Sequence, residues 1–233
     1  MRSRCYRSAH PSKASGHPGG RAIIHTVKIR AGALNKEPRD LAATESTMLE
    51  LGTPAPDFDL PEPGGRRVRL SDFADADGLI VAFICNHCPF VKHIRIGLAD
   101  FARDYAQRNV AMVAINANDF AAYSGDAPEH MQKEIDNFGY CFPYVYDESQ
   151  EVAKAHRAAC TPEFYLFDGD RKLVYRGRFD AATPGNNELV SGDELRCATD
   201  AMLAGTMADP DQKPGIGCSI KWKPGNVPDY FSG

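Results

Sequence analysis

Two apolar runs of strand length, separated by one amphipathic helix, most strongly constrain the fold of this 233-residue chain. The first run, LIVAFIC at 79–85, is continuous, which is typical of a strand buried on both faces. Pro89 then opens a segment with helical period. Its apolar residues recur at spacings of three and four, at Val91, Ile94, Leu98, Phe101 and Tyr105. The second run, VAMVAIN at 110–116, predicts another buried strand. The pattern is therefore strand, tight turn, helix, strand.

The remaining segments extend this pattern into an α/β domain. Two short apolar runs around PEPGG, at 58–60 and 68–70, predict an N-terminal β-hairpin, and FYLFDGDRKLVYRGRF predicts a second, antiparallel hairpin that turns at 168–170. Three further helices are predicted: 128–138, 148–157 with Asp147 as N-cap, and one that starts with the capping-box pair Ser191 and Glu194 and ends at Gly205. This order predicts a central mixed β-sheet flanked by helices on both faces.

Composition divides the chain into three parts. Residues 1–47 hold nine basic and three acidic residues without a sustained period, so we expect a disordered, dispensable extension, with a start at Met48 or a transit peptide as alternatives. Residues 48–205 form the predicted domain, and residues 206–233 form a tail whose GCSIKW cluster is apolar enough to pack on it. The part after residue 47 holds eighteen basic and twenty-eight acidic residues, which argues against nucleic-acid binding.

The cysteine content and the lack of long apolar runs indicate the cellular compartment of the protein. No run approaches the ~20 apolar residues of a membrane-spanning helix, and no signal-peptide segment opens the chain. Seven cysteines, an odd number, indicate thiol chemistry in a reducing environment rather than a disulfide framework. We therefore expect a cytoplasmic protein that does not bind membranes. The sequence leaves its oligomeric state open.

The strongest chemical signal is Cys85-Asn86-His87-Cys88-Pro89, where the first apolar strand meets the helix. A thiol at a helix N-terminus lies near unpaired backbone N–H groups and the positive end of the helix dipole, and both favour the thiolate. Cys88 lies at the turn, whereas Cys85 is still inside the apolar run and is equally explained as a core residue. Cys88 is therefore the predicted nucleophile.

Several segments together resemble a known family: APDFDLPEPGGRRVRLSDF, LIVAFICNHCPFVKHI, YVYDESQEVAKAH, CTPEFYLFD and YRGRFD. Over about 49–222 the chain resembles the thioredoxin-like superfamily and, within it, the peroxiredoxin-like subgroup of the alkyl hydroperoxide reductase and thiol-specific antioxidant (redoxin) family. The resemblance implies a thioredoxin-like fold and a thiol-dependent oxidoreductase with an antioxidant role.

The resemblance also implies site residues. Cys88 takes the place of the nucleophile, and Thr161-Pro162 matches the cis-proline loop that forms the substrate platform. Val91 stands where a thioredoxin has its resolving cysteine. The peroxidase pattern would have threonine where Cys85 stands, and arginine at about Pro162, so efficient peroxide reduction is not implied.

A second thiol is then needed to clear the oxidised Cys88. Cys85, three residues away, is the first candidate, Cys160, two residues before the predicted cis-proline, is the second, and Cys218 in the tail is the third. The expected substrate is a disulfide or a peroxide, and the expected reductant is an external thiol such as a thioredoxin or a low-molecular-weight thiol. This chemistry requires no metal and no organic cofactor.

Two alternatives come from other functional classes. Cys85 and Cys88 with His87 or His93 would offer a soft ligand set for Cu(I) or zinc, and a redox-inert binding scaffold would leave Cys88 unreactive. Individually, Cys141, Cys160 and Cys197 are interpreted as core-packing residues. Trp222 is interpreted as the anchor of the tail.

Overall fold

A five-stranded β-sheet organises residues 43–231, the part of the chain that the computed structural model describes. The strands are β1 (Ala43–Glu45), β2 (Asp59–Pro61), β3 (Arg67–Arg69), β4 (Gly78–Phe83), β5 (Val110–Asn116), β6 (Tyr144–Tyr146), β7 (Cys160–Thr161), β8 (Glu163–Asp168), β9 (Leu173–Gly177) and β10 (Ile216–Ser219). The α-helices are α1 (Pro89–Ala106), α2 (Pro128–Phe138), α3 (Glu151–Ala155) and α4 (Asp193–Leu203). The predicted extension, as far as residue 42, lies outside the described residues.

The central sheet is mixed, as predicted. Its strand order is β6-β5-β4-β8-β9, with β4, β5 and β6 parallel and with β8 and β9 antiparallel to their neighbours. Strand β4 is therefore the middle strand, and all six of its residues are buried. This explains its continuous apolar sequence, since both of its faces are covered by other elements.

The two faces of β4 contribute to two separate cores. Ile80 and Ala82 join the core formed with α1, α2 and α4, whereas Leu79, Val81 and Phe83 join the core formed with α3 and the β2–β3 hairpin. Successive side chains of a strand point to opposite faces, which assigns alternate residues to each core. Helices on both faces are thus confirmed.

A second, three-stranded sheet crosses one end of the domain. Its order is β1-β10-β7, all antiparallel, so that residues 43–45 and 216–219 pair next to the short strand before Pro162. The sequence placed residues 43–47 in the extension and residues 216–219 in the tail. The folded part therefore reaches beyond the predicted range of 48–205 at both ends.

Helix α3 is shorter than predicted. It covers Glu151–Ala155 rather than 148–157, because the chain first turns at Gln150, whose φ is 65°. Asp147 is not the N-cap residue, but its carboxylate accepts the N–H of Ala153 at 2.9 Å. It therefore satisfies an N–H of the first helical turn from outside the helix.

The capping box predicted for the last helix does not form. Helix α4 starts after Gly192, whose φ is 65°, and the buried carboxylate of Asp180 accepts the N–H groups of Ser191 and Gly192 at 2.7 Å. Glu194 forms an ion pair with Arg178 instead of returning to the helix start. The carboxylate of Asp180 thus takes the place of the predicted capping box of Ser191 and Glu194.

None of the helices in the described part of the chain is long and apolar enough to cross a lipid bilayer.

His156 is buried among aromatic rings at the end of α3. Its ring contacts Phe83, Tyr165 and Phe167, its Nδ1 donates to the carbonyl of Val152 at 2.8 Å, and its Nε2 has no hydrogen-bond partner among the described residues. Burial lowers the pKa of His156 to about 4, because a proton on Nε2 would bring an unpaired charge into the core.

This histidine should make the domain less stable in acid. Its unfolded pKa is about 6.5, so the unfolded chain binds the proton first, and stability is lost as pH falls from about 6.5 towards 4. The contribution is about 3 kcal/mol. Urea unfolding of the native protein and of His156→Leu should show a smaller loss in the variant. The exposed His93→Leu serves as control, and an equal loss in all three proteins would contradict the assignment.

Candidate active site

Cys88 occupies the N-cap position of α1, directly after the central strand β4. Its backbone is extended and Pro89 is the first helical residue, so the thiol lies at the end of the helix where backbone N–H groups have no helical partner. The side chain is fully buried. The strand-to-helix geometry predicted for this residue is thus the one observed.

Thr161 lies against both cysteines of the motif. The Cys88 thiol donates to the Thr161 carbonyl oxygen at 3.1 Å, and Cys85 Sγ lies 3.3 Å from Thr161 Oγ1. The peptide bond between Thr161 and Pro162 is cis, as the resemblance implied. The predicted residues Cys85, Cys88, Thr161 and Pro162 therefore come together at one end of the central sheet.

The groups around Cys88 shift the pKa of its thiol in both directions. Burial opposes its ionisation, and the Thr161 carbonyl stabilises the protonated thiol. These effects are outweighed by hydrogen bonds from the thiols of Cys218 and Cys85 and from the backbone N–H groups of Val91 and Cys218, which together lower the pKa of Cys88 well below its ordinary value. The surroundings of Cys88 therefore favour its thiolate form.

The other buried thiols stay protonated. Burial, followed by the neighbouring Cys88 sulfur and by Asp126, raises the pKa of Cys85 well above its ordinary value. The hydrogen bond to Cys88, followed by burial, raises the pKa of Cys218. Burial, followed by Glu163, raises the pKa of Cys160. Among these four buried cysteines, Cys88 is thus the one whose surroundings favour ionisation.

Cys160 faces away from the Cys88 hydrogen-bond cluster. Its Sγ lies 3.7 Å from the carbonyl oxygen of Gly215 and 3.9 Å from the Glu163 carboxylate. Cys218, by contrast, lies opposite Thr161 in the β10–β7 register and contacts Cys88. The residue that the sequence ranked third thus has the closer contact, because the tail strand returns to the site.

The core-packing interpretation of Cys141 is wrong. Its side chain is exposed, because it follows Tyr140 in the turn after α2, where the aromatic neighbours on either side face the core instead. Cys160 is buried as interpreted, and Cys197 is half-buried on α4.

Asp126 supports the turn that carries the motif. Its carboxylate is fully buried and accepts the N–H groups of Asn86 and His87 at 2.8 and 3.3 Å, the His87 ring at 2.6 Å and the Asn118 amide at 2.8 Å. Because a carboxylate only accepts, His87 Nδ1 carries the proton in this contact. Asp126 could not be predicted from the sequence, because it follows a short polar loop with no motif around it.

The structure groups three possible metal ligands, but not the predicted set. Atoms of Cys85, His87 and Asp126 lie within 4.8 Å of one another. Cys88 is not part of the group, His93 is exposed, and the Asp126 oxygens already accept hydrogen bonds that a metal ion would displace. The arrangement therefore favours thiol chemistry over the metal-binding alternative.

Comparison with known proteins agrees with this geometry. The family model described as the AhpC/TSA family matches residues 51–176, more than half of the chain. The thiol-disulfide oxidoreductase ResA of Geobacillus thermodenitrificans is 27% identical over 130 residues, which cover 56% of this chain and 70% of that protein.

Solved structures show the same fold. An uncharacterized conserved protein from Geobacillus kaustophilus is 51% identical, with a TM-score of 0.77 over 79% of this chain and 98% of that one. The thioredoxin domain of a thiol-disulfide oxidoreductase from Bacteroides vulgatus is 16% identical, with a TM-score of 0.50 over 64% of this chain and 96% of that one. The second likeness shows the thioredoxin-like fold alone. From the family match, the thioredoxin-like fold and the cysteine site at the start of α1, the chain belongs to the AhpC/TSA family.

Proposed function

We propose that this chain is a thiol-dependent oxidoreductase in which the Cys88 thiolate attacks a disulfide sulfur or a peroxide oxygen. The observation that supports this most directly is the Cys88 thiol at the N-cap of α1, 3.1 Å from the carbonyl oxygen of Thr161 in the cis-proline loop, where its surroundings lower its pKa. A stabilised thiolate is both a nucleophile and a good leaving group in exchange reactions. The ResA relatives, named thiol-disulfide oxidoreductases, support the same reaction class.

A disulfide is the preferred substrate in this proposal. Attack on it forms a mixed disulfide at Cys88 and releases one substrate thiolate. A second thiol then attacks Cys88 Sγ and releases the other, so the substrate gains two electrons and two protons. The peroxide reaction is less favoured, because Cys85 and Pro162 replace the threonine and arginine of the peroxidase pattern.

The cellular setting is part of the proposal. Cys88 would be returned to the thiolate by an external thiol, such as a thioredoxin or a low-molecular-weight thiol. We further propose an antioxidant role in the cytoplasm, supported by the odd number of cysteines, which suits a reducing compartment.

A single-turnover assay tests the reaction and the thiolate together. Fully reduced protein is mixed with glutathione disulfide or with tert-butyl hydroperoxide between pH 5 and pH 8, and product is measured by rapid quench. We expect faster reaction with the disulfide, at a rate constant that changes by less than about threefold over this range, because Cys88 is ionised throughout.

Glutathione is the reference, because a free thiol with a pKa of ~8.5 gains about tenfold in rate per pH unit. A protein rate that climbs in the same way would exclude a stabilised thiolate. A protein that consumes neither substrate would be the redox-inert scaffold.

A further inference from the structure

The tail strand β10 covers the Cys88 thiol. It is the middle strand of the β1-β10-β7 sheet, and its register places Cys218 opposite Thr161 on one side and Ala43 on the other. Cys88 is 0% exposed and β10 packs beside it, so a movement of β10 would open a path to its sulfur. The residues from Ile216 to Ser219 thus form part of the active site.

The strand lies unusually close to the cis-proline loop. A side chain at Gly217 would overlap the carbonyl group of Thr161, and a Cβ at Gly215 would lie 3.2 Å from the Pro162 carbonyl oxygen. Glycine at both positions allows the main chain of the tail to pack directly on the loop. Cys218 is therefore held beside Cys88 by backbone contacts.

Cys218 lies opposite Thr161 in the sheet, and the Thr161 carbonyl oxygen accepts the Cys88 thiol at 3.1 Å. Both cysteines are buried in the same core. We propose that Cys218 is the resolving thiol of Cys88, brought to it by β10, and that the enzyme cycles through a Cys88–Cys218 disulfide. This inference rests on the proposed function and names the second thiol of that reaction.

Cys85 is the competing thiol, and its setting differs. Its sulfur contacts Thr161 Oγ1, and the next residue, Asn86, is tied through its N–H to buried Asp126. Burial is the first reason that the pKa of Cys85 is raised and the Cys88 sulfur is the second, whereas for Cys218 the order of these two causes is reversed. Cys85 is thus a thiol donor to Cys88 that the fold keeps in place.

Cys218 is kept protonated chiefly by its hydrogen bond to the Cys88 thiolate. This cause ends once Cys88 enters a mixed disulfide, since the sulfur then carries no negative charge. The pairing strands β1 and β7 have only three and two residues, so few backbone bonds hold β10 in place. Cys218 can therefore lose its proton and attack Cys88 Sγ once the mixed disulfide has formed.

Resolution by Cys218 is a thiol–disulfide exchange at Cys88 Sγ. Cys218 loses its proton to solvent and its thiolate attacks Cys88 Sγ. The Cys88–Cys218 bond forms, the bond from Cys88 to the substrate sulfur breaks, and the released substrate thiolate takes up a proton. The two protein thiols are oxidised by two electrons, and an external dithiol later reduces their disulfide.

The test follows both halves of a chromogenic disulfide. Reduced protein, with Cys5 and Cys141 replaced by serine, receives one equivalent of 5,5′-dithiobis(2-nitrobenzoate). Remaining thiols are blocked with N-ethylmaleimide, and cysteine partners are mapped by non-reducing peptide mass spectrometry. The same protocol is applied to Cys218→Ser, Cys85→Ser and Cys160→Ser in this background.

We expect the parent protein to release both halves of the reagent and to contain a Cys88–Cys218 disulfide. Cys218→Ser should release one half and keep the other on Cys88, whereas Cys85→Ser and Cys160→Ser should still form the Cys88–Cys218 disulfide. A Cys88–Cys85 or Cys88–Cys160 disulfide in the parent would overturn the inference, and this result does not depend on how any variant folds.

The two proposals fail differently. If the parent keeps one half of the reagent on Cys88, the nucleophile is right and the resolving role of Cys218 is wrong. If Cys88 is unmodified and no thiol is released, the proposed function itself is wrong, and with it the inference.

Discussion

Replacing Cys88 with serine is expected to lower the rate of disulfide reduction by about a thousandfold or more. A serine hydroxyl does not ionise at neutral pH, so the hydrogen bonds that lower the pKa of Cys88 have no anion to stabilise. The loss should appear in the single-turnover assay at every pH between 5 and 8. Far-ultraviolet circular dichroism and urea unfolding establish that the variant is folded.

The other cysteines provide the matched controls. Cys141→Ser changes an exposed thiol and should keep the rate of the native protein. Cys85→Ser keeps a side chain that can donate to the Cys88 sulfur, so we expect a rate within about tenfold of native. If Cys88→Ser remained active and Cys85→Ser did not, the nucleophile would lie three residues earlier than we propose.

The elements with a visible period were predicted from the sequence almost to the residue. Strand β5 and helix α2 have the predicted bounds, because each buries one continuous run or one clear stripe. Helices α3 and α4 begin later than predicted, because the chain first turns at Gln150 and at Gly192. Asp180 fixes the turn before α4 by accepting the N–H groups of Ser191 and Gly192, and a local sequence pattern does not show this partner.

The second sheet was beyond what the sequence could show. Strands β1, β7 and β10 have three, two and four residues, and each pairs with a segment far away in the chain. Strands this short lack a readable alternation, and their stability comes from the partner. The apolar GCSIKW cluster did signal that the tail packs on the domain, but not that it covers Cys88.

The sequence predicted those residues of the candidate site that lie within a recognisable motif. Cys88 was placed by the strand-to-helix pattern, and Thr161 and Pro162 by the resemblance. Asp126 and the position of Cys218 depend on tertiary contacts between segments roughly forty and more than a hundred residues from the motif. The ranking of the resolving thiols could therefore not be decided by sequence distance, which favoured Cys85.

The close contact between β10 and the cis-proline loop allows a strong structural test. In Gly217→Ala, the added Cβ would overlap the Thr161 carbonyl, so either the loop shifts or β10 leaves its place. We expect the free energy of unfolding to fall by about 3 kcal/mol, because overpacking at a buried backbone contact has no flexible side chain to relieve it. Urea unfolding measures this loss.

The same substitution should expose Cys88. If the closed position of β10 is weakened by about 3 kcal/mol relative to the open one, the open population rises about a hundredfold, since each 1.4 kcal/mol is a factor of ten. The rate at which a bulky maleimide modifies Cys88 should rise by a similar factor. Peptide mass spectrometry identifies the modified cysteine. Gly64→Ala is the control, because a Cβ there meets nothing within 4 Å. Gly217→Ala could lose stability while Cys88 reacts no faster than in the control. In that case another element covers the thiol, and movement of β10 does not control the access of substrate to Cys88.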